Sequence, residues 1–280
     1  MSKTGVQVVW SIIYFILGGL VFVLGLNLLQ RIPKGFQDVY KIGLPVLLLV
    51  AYVVSKKYAP NQKAVFLAFF LVSLGWVLDF YLAGKIKGLL SLDTQTLPGF
   101  AYIMVISTLL VSAPVILGWW ASGQALSTIY IRGDKTVWGI LVGIVGLLLF
   151  AGLGGLQALG QGLTMKAVGA AIPMALVFSL ANGFREELAY RAVFLKGFQA
   201  NIGVVATIIV TTVVFALAHI DPGYDTPSLI VFSIVLVTIG VVGSLIMMKT
   251  GSLIGAVLFH AGADVLLIMT MLSSRQLTLQ

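Results

Sequence analysis

An all-α, polytopic transmembrane bundle of eight or nine helices is the fold this sequence predicts, and three observations predict it. Sixty per cent of the 280 residues are hydrophobic and nine per cent are charged, more apolar surface than a soluble domain of this length can bury. Apolar runs of about 20 residues, the length that crosses a hydrocarbon core of about 30 Å, recur along the chain. The runs are uninterrupted rather than alternating. Each must satisfy its own backbone polar groups, as a helix does and an isolated barrel strand does not.

Taken in order, the first run spans residues 8–30; it is longer than a signal-peptide core and lacks a small-x-small cleavage site, so a retained helix is expected. The second, 40–55, is short and is expected to tilt or to insert only in part. Runs at 64–84, 101–122 and 137–158 read as ordinary spans. The sixth, 168–199, is too long for one perpendicular crossing, and Asn182-Gly183 in its middle predicts a break, kink or tilt. Turn formers from Asp221 to Pro227 separate 202–219 from 228–248, and 252–272 closes the series. The stretch GLGGLQALGQG, Gly152–Gly162, lacks the Lys-Ser/Thr ending of a phosphate loop and reads as helix packing. Trp10, Trp119, Trp120 and Trp138 read as interfacial anchors.

Cysteine is absent, which excludes disulfides and S-palmitoylation. The net charge of +8 sits in short loops between apolar runs, so the basic partner surface is the lipid bilayer and not nucleic acid. Lys and Arg divide almost evenly between the two sides of nine spans, so no orientation follows. The chain divides into amino-terminal helices of unknown role, residues 1–130, and a core, 131–280, that holds the buried polar groups.

An ionisable side chain at a helix centre in a bilayer costs at least about 2.5–3.5 kcal/mol and is normally paired or functional. Asp38, Asp93, Asp134, Asp221 and Asp225 read as loop residues and Asp79 as near a span end. That leaves Glu186 and Glu187, the only glutamates, with Asp264, the flanking Arg185 and Arg191, and the only histidines, His219 and His260. Glu187 and Arg191 lie four apart, the spacing of a helical ion pair with the acid in the favourable place. Glu186 then points about 100° away and must find its partner on another helix. Phe215 and His219 are four apart, as are His260 and Asp264, the latter with only Ala-Gly-Ala between them. Phe215 by itself reads as core.

The ordered set Glu186-Glu187-x-x-x-Arg191, Phe215-x-x-x-His219 and His260-x-x-x-Asp264 resembles the three motifs of the CPBP family, the CAAX proteases and bacteriocin-processing enzymes that include type II CAAX prenyl endopeptidases. The resemblance covers roughly residues 135–272. It implies an intramembrane endopeptidase acting on peptides or proteins presented from the membrane; CAAX-type prenylated proteins are a substrate class the resemblance offers, and no residue here identifies a prenyl group. Glu186 and His219 would activate a water, and His260 with Asp264 would steady the oxyanion. Glu187, Arg191 and Phe215 would support the site. Where family enzymes carry Asn, this chain has Asp264, and an ionised carboxylate accepts hydrogen bonds only. The expectation is therefore that Asp264 holds His260 protonated as the donor.

No cofactor is favoured, but Glu186, His219 and His260 would equally make a two-histidine, one-carboxylate Zn2+ site with an open position for water. Two other classes compete with a protease. Buried Glu, His, Asp and Arg suit a proton-coupled transporter, although no inverted repeat is evident, and a non-catalytic immunity or scaffold protein would retain the same motifs. The compact, short-looped chain points to a microbial cell membrane.

Overall fold

The computed structural model describes residues 3–28, 33–131, 135–219 and 226–279. Helix α1, Lys3–Gly18, continues as a π-helical stretch, Gly19–Leu28. It is followed by α2, Lys34–Tyr58, α3, Lys63–Leu89, α4, Leu97–Ala121, and α5, Thr136–Gly160. Next come α6, Met165–Glu186, a π-helical turn, Glu187–Ala192, and α7, Val193–Ile202. The chain ends with α8, Val204–His219, α9, Thr226–Thr250, and α10, Leu253–Ser273. Counting α6 to α7 as one run, eight helices are long and apolar enough to cross a membrane, and α8 is a shorter apolar helix. Among the described residues the only β pairing is a single bridge between Thr96 and Thr278. The protein is a polytopic, all-α membrane bundle.

Small polar residues start three of the helices. Thr96, Thr164 and Ser252 sit at the N-caps of α4, α6 and α10, and their hydroxyls accept from the amides of Gly99, Ala167 and Gly255 at 3.2, 3.1 and 3.0 Å, satisfying donors the helix cannot. Gly203, at φ +82°, makes the turn between α7 and α8 that a side chain would strain.

Four expectations change. The second helix runs 25 residues, about 37 Å at 1.5 Å per residue, so it is long and apolar enough to cross a membrane; its polar ends hid its length, and Asp38 lies on it, accepting from Tyr81 Oη at 2.7 Å. The irregular winding of the sixth run falls at Glu187–Ala192 and not at Asn182-Gly183. Trp119 is buried and donates to Thr128 Oγ1 at 2.9 Å, whereas Trp120 and Trp138 are exposed as expected of anchors. Thr226 and Pro227, read as turn, open α9; Asp134, Asp221 and Asp225 lie outside the described residues.

Two seams position the site. The first is α5 against α10, where a Cβ on Gly143 would stand 2.4 Å from the Gly255 carbonyl oxygen and one on Gly154 2.8 Å from Leu266 Cα. Only residues without side chains permit backbones this close. Gly154 bears out the packing reading of the Gly-rich stretch, while Gly152 and Gly160 meet nothing. The second seam is α6 against α10, where Gly183 faces the Val257 carbonyl and His260 Cβ.

Hydrogen bonds at and near the helix ends define two ends of the bundle. At one end Gln62 Nε2 donates to Asn201 Oδ1 (3.2 Å), Lys196 Nζ to the Ser127 carbonyl (2.8 Å), and the Leu253 amide to the Tyr130 carbonyl (3.0 Å). At the other the Leu97 amide donates to the Thr278 carbonyl (2.7 Å).

Candidate active site

Glu186 is the last residue of α6 and Glu187 the first of the π turn. One extra residue in a turn rotates every later side chain about the helix axis, and such turns recur at functional sites. Glu187 and Arg191 pair within that turn, both fully buried. The Arg191 guanidinium lies over the Phe215 ring, 4.2 Å from its centroid. Phe215 is itself fully buried, with its ring edge-on to His260 at 5.8 Å and tilted against His219 at 4.5 Å. It is core, as read from the sequence, and it also forms the wall between the two imidazoles.

Glu186 finds its partners on other helices. Its Oε2 lies 3.3 Å from His219 Nε2, at the end of α8, and 3.6 Å from His260 Nε2, on α10. Each imidazole is oriented from its far nitrogen: His219 Nδ1 donates to the Phe215 carbonyl (2.8 Å), and His260 Nδ1 donates to Glu187 Oε1 (2.8 Å). Both Nε2 atoms are thereby turned toward one carboxylate oxygen.

Asp264 stands differently from the sequence expectation. Its Oδ1 is 3.7 Å from His260 Nε2, beyond a hydrogen bond, while its Oδ2 accepts from Asn182 Nδ2 at 3.0 Å. The carboxylate that hydrogen-bonds His260 is Glu187, so the tie between His260 and a supporting acid runs through the first motif. Three carboxylates, Glu186, Glu187 and Asp264, face two guanidiniums, Arg185 and Arg191, so a proton on one imidazole makes the group neutral. An unbalanced charge at this depth would be far more costly.

These groups line a cavity of about 550 Å³. Glu186, His219, His260 and Asp264 form its polar wall; Phe232, Val235, Leu236 and Ile239 of α9 face them, and Gln157 and Thr270, hydrogen-bonded at 3.1 Å, lie toward the end that carries Thr278. His219 keeps 23% of its side chain exposed, against 8% for Glu186 and 3% for His260. A recess of comparable volume at the opposite end is lined by Tyr130, Lys135, Lys196 and Lys249; its described lining offers no acid and so no acid–base pair.

Glu186, His219 and His260 have the right donor chemistry for zinc, two imidazoles and a carboxylate. Among the described residues, however, no three such side chains are arranged to hold a metal ion.

Sequence reasoning passed over Asn182, Ser107, Gln157 and Thr270. Asn182 reads from the sequence as a helix breaker; the other three are neutral residues in apolar runs and carry no signal until neighbouring helices are placed.

The family model described as Type II CAAX prenyl endopeptidase Rce1-like matches residues 168–266, about a third of the chain, from early α6 to the middle of α10. That segment contains Glu186, Glu187, Arg191, Phe215, His219, His260 and Asp264. No curated protein and no solved structure matches the chain.

Proposed function

We propose that the protein is an intramembrane endopeptidase in which Glu186 and His219 activate a water for attack on a peptide bond held in the cavity. One observation carries the reading: Glu186 Oε2 and His219 Nε2, 3.3 Å apart, meet at the wall of a cavity of about 550 Å³. With its Nδ1 hydrogen committed to the Phe215 carbonyl, a neutral His219 presents a lone pair at Nε2. Two acceptors side by side suit a water that donates to both and turns its own lone pair toward the cavity.

In this reading Glu186 takes a proton from the water as its oxygen bonds to the scissile carbonyl carbon. His260, protonated and held by Glu187, donates from Nε2 to the developing oxyanion, where low dielectric strengthens the contact. The carbon–nitrogen bond then breaks, and the proton held by Glu186 passes to the leaving amine. The apolar α9 wall suits a substrate delivered from lipid. The matched family's description supports CAAX-type prenylated proteins as one substrate class.

The test is cleavage by the purified protein in lipid of prenylated CAAX peptides and of a panel of membrane-segment peptides. Wild type is expected to cleave at least one class, and Glu186→Ala to lower the rate by about 10²–10⁴-fold, the scale of a lost general base. Cleavage unchanged in the variant, or none by wild type on either class, removes the reading.

The same two nitrogens near one carboxylate oxygen, each anchored from behind by a carbonyl or a carboxylate, also resemble the surroundings of zinc-bound histidines. A zinc-dependent peptidase using Glu186, His219 and His260 is thus the second reading. Bound metal in the pure protein, with activity lost on exhaustive chelation and restored by Zn2+, would select it over the metal-free water.

A further inference from the structure

The amino-terminal helices carry no motif, yet two of them reach the site through one side chain. Arg185 precedes Glu186 and is only 12% exposed. Its Nη1 donates to Ser107 Oγ on α4 (2.7 Å), and its guanidinium lies over the Trp76 ring on α3, 5.1 Å from the centroid. Its Nη2 donates to Asn182 Oδ1 (2.6 Å) and to Glu186 Oε1 (3.3 Å). Asn182 in turn donates to Asp264 on α10, and Thr108, next to Ser107, donates to the Ala181 carbonyl at 2.9 Å. We infer that Arg185 is a positioning residue, clamped by Ser107 and Trp76, that fixes Glu186 by one carboxylate oxygen so that the other is presented to His219 and His260.

The division of labour comes from the geometry. A carboxylate free to turn would offer either oxygen to the imidazoles. With Oε1 occupied by a fixed donor, only Oε2 faces the water position. A guanidinium suits the task because its planar fork reaches Ser107, Asn182 and Glu186 at once, which an ammonium on a flexible stem cannot do. Through Asn182 the same fork orients Asp264, so two of the acids in the site take their rotamers from α3 and α4. This assigns the helices before residue 131 a part in the site, and it rests on the peptidase reading only for its effect on rate.

The test exploits a peculiarity of the sequence: Glu186 and Glu187 are the only glutamates. Isotope-edited infrared spectra of protein carrying 13C-glutamate therefore report these two carboxylates alone, and Glu186→Gln identifies the band of Glu187. Arg185→Met is expected to move the Glu186 band and leave the Glu187 band in place. Ser107→Ala, which loosens the clamp without removing the charge, is expected to move the same band by less. An Arg185 that makes no fixed contact with Glu186 would leave both bands unmoved, and one that serves stability alone would leave kcat unmoved. Coincidence of the bands with those of wild type in folded Arg185→Met protein overturns the inference; if that variant does not fold, coincidence in Ser107→Ala does so. On any peptide that wild type cleaves, Arg185→Met should lower kcat by about 10²-fold, the scale of a misplaced reacting group, with KM within about twofold, since the contact bears on the reaction and not on substrate binding. Failure of wild type to cleave removes the peptidase reading, while the infrared bands still decide Arg185.

Discussion

At the scale of single residues, the exchange of partners between Glu187 and Asp264 alters what each substitution should do. His260 takes its orientation from Glu187, and Asp264 is held by Asn182 with its other oxygen 3.7 Å from His260. An asparagine at 264 can accept from Asn182 through its carbonyl oxygen and aim its amide toward the cavity, adding a donor where negative charge would develop. Asp264→Asn is therefore expected to retain measurable peptidase activity. His260→Ala removes the donor itself and should cost about 10²–10³-fold in kcat. Steady-state kinetics on one cleaved peptide checks both, and an inactive, folded Asp264→Asn protein would show that the carboxylate is needed as such. The four-residue spacings made Glu187–Arg191 legible in advance because a helical pair needs only its own segment. Which acid meets His260 was not legible, since it depends on how α6 and α10 are rotated against each other.

At the scale of elements, the α5–α10 seam sets the place of His260. Gly255 lies five residues before it, and a Cβ there would fall 2.4 Å from the Gly139 carbonyl oxygen and 2.6 Å from its carbon. Neither is the end of a flexible side chain, so one helix backbone must move. Gly255→Ala is expected to destabilise by about 1–3 kcal/mol, as overpacking does, seen as a lower Tm in detergent. Gly84→Ala on α3, where nothing lies within 4 Å, should leave the Tm unchanged or slightly raised. An equal fall in both would mean that the seam is not tight. The helices themselves were legible almost to their ends, because an apolar run has nowhere to go but across a bilayer. The errors fell where hydropathy is silent. The polar ends of α2 disguised a full-length helix, Trp119 turned inward to Thr128, and the π turn at Glu187–Ala192 has no glycine or proline to announce it.

At the scale of the whole molecule, the bundle has a direction. Eight long helices and α8, laid alternately, place residue 4 at the end where Gln62 meets Asn201 and residue 278 at the opposite end, against Gln95 and Leu97. The cavity leans toward the second end: Thr270 lies six residues beyond Asp264 on α10, near the helix terminus at Ser273. Water should therefore reach the site from the face that carries residue 278. Because the chain has no cysteine, single substitutions can report this without background. In sealed vesicles of uniform orientation, an impermeant maleimide should label Thr4→Cys from one face and Thr278→Cys from the other, with Thr270→Cys reached only from the face that labels position 278. Labelling of positions 4 and 278 from the same face would break the alternate laying of the eight long helices and α8. Labelling of position 270 from the face of residue 4 would leave the crossings intact but reverse the approach to Glu186, and with it the side from which a substrate's polar segment enters.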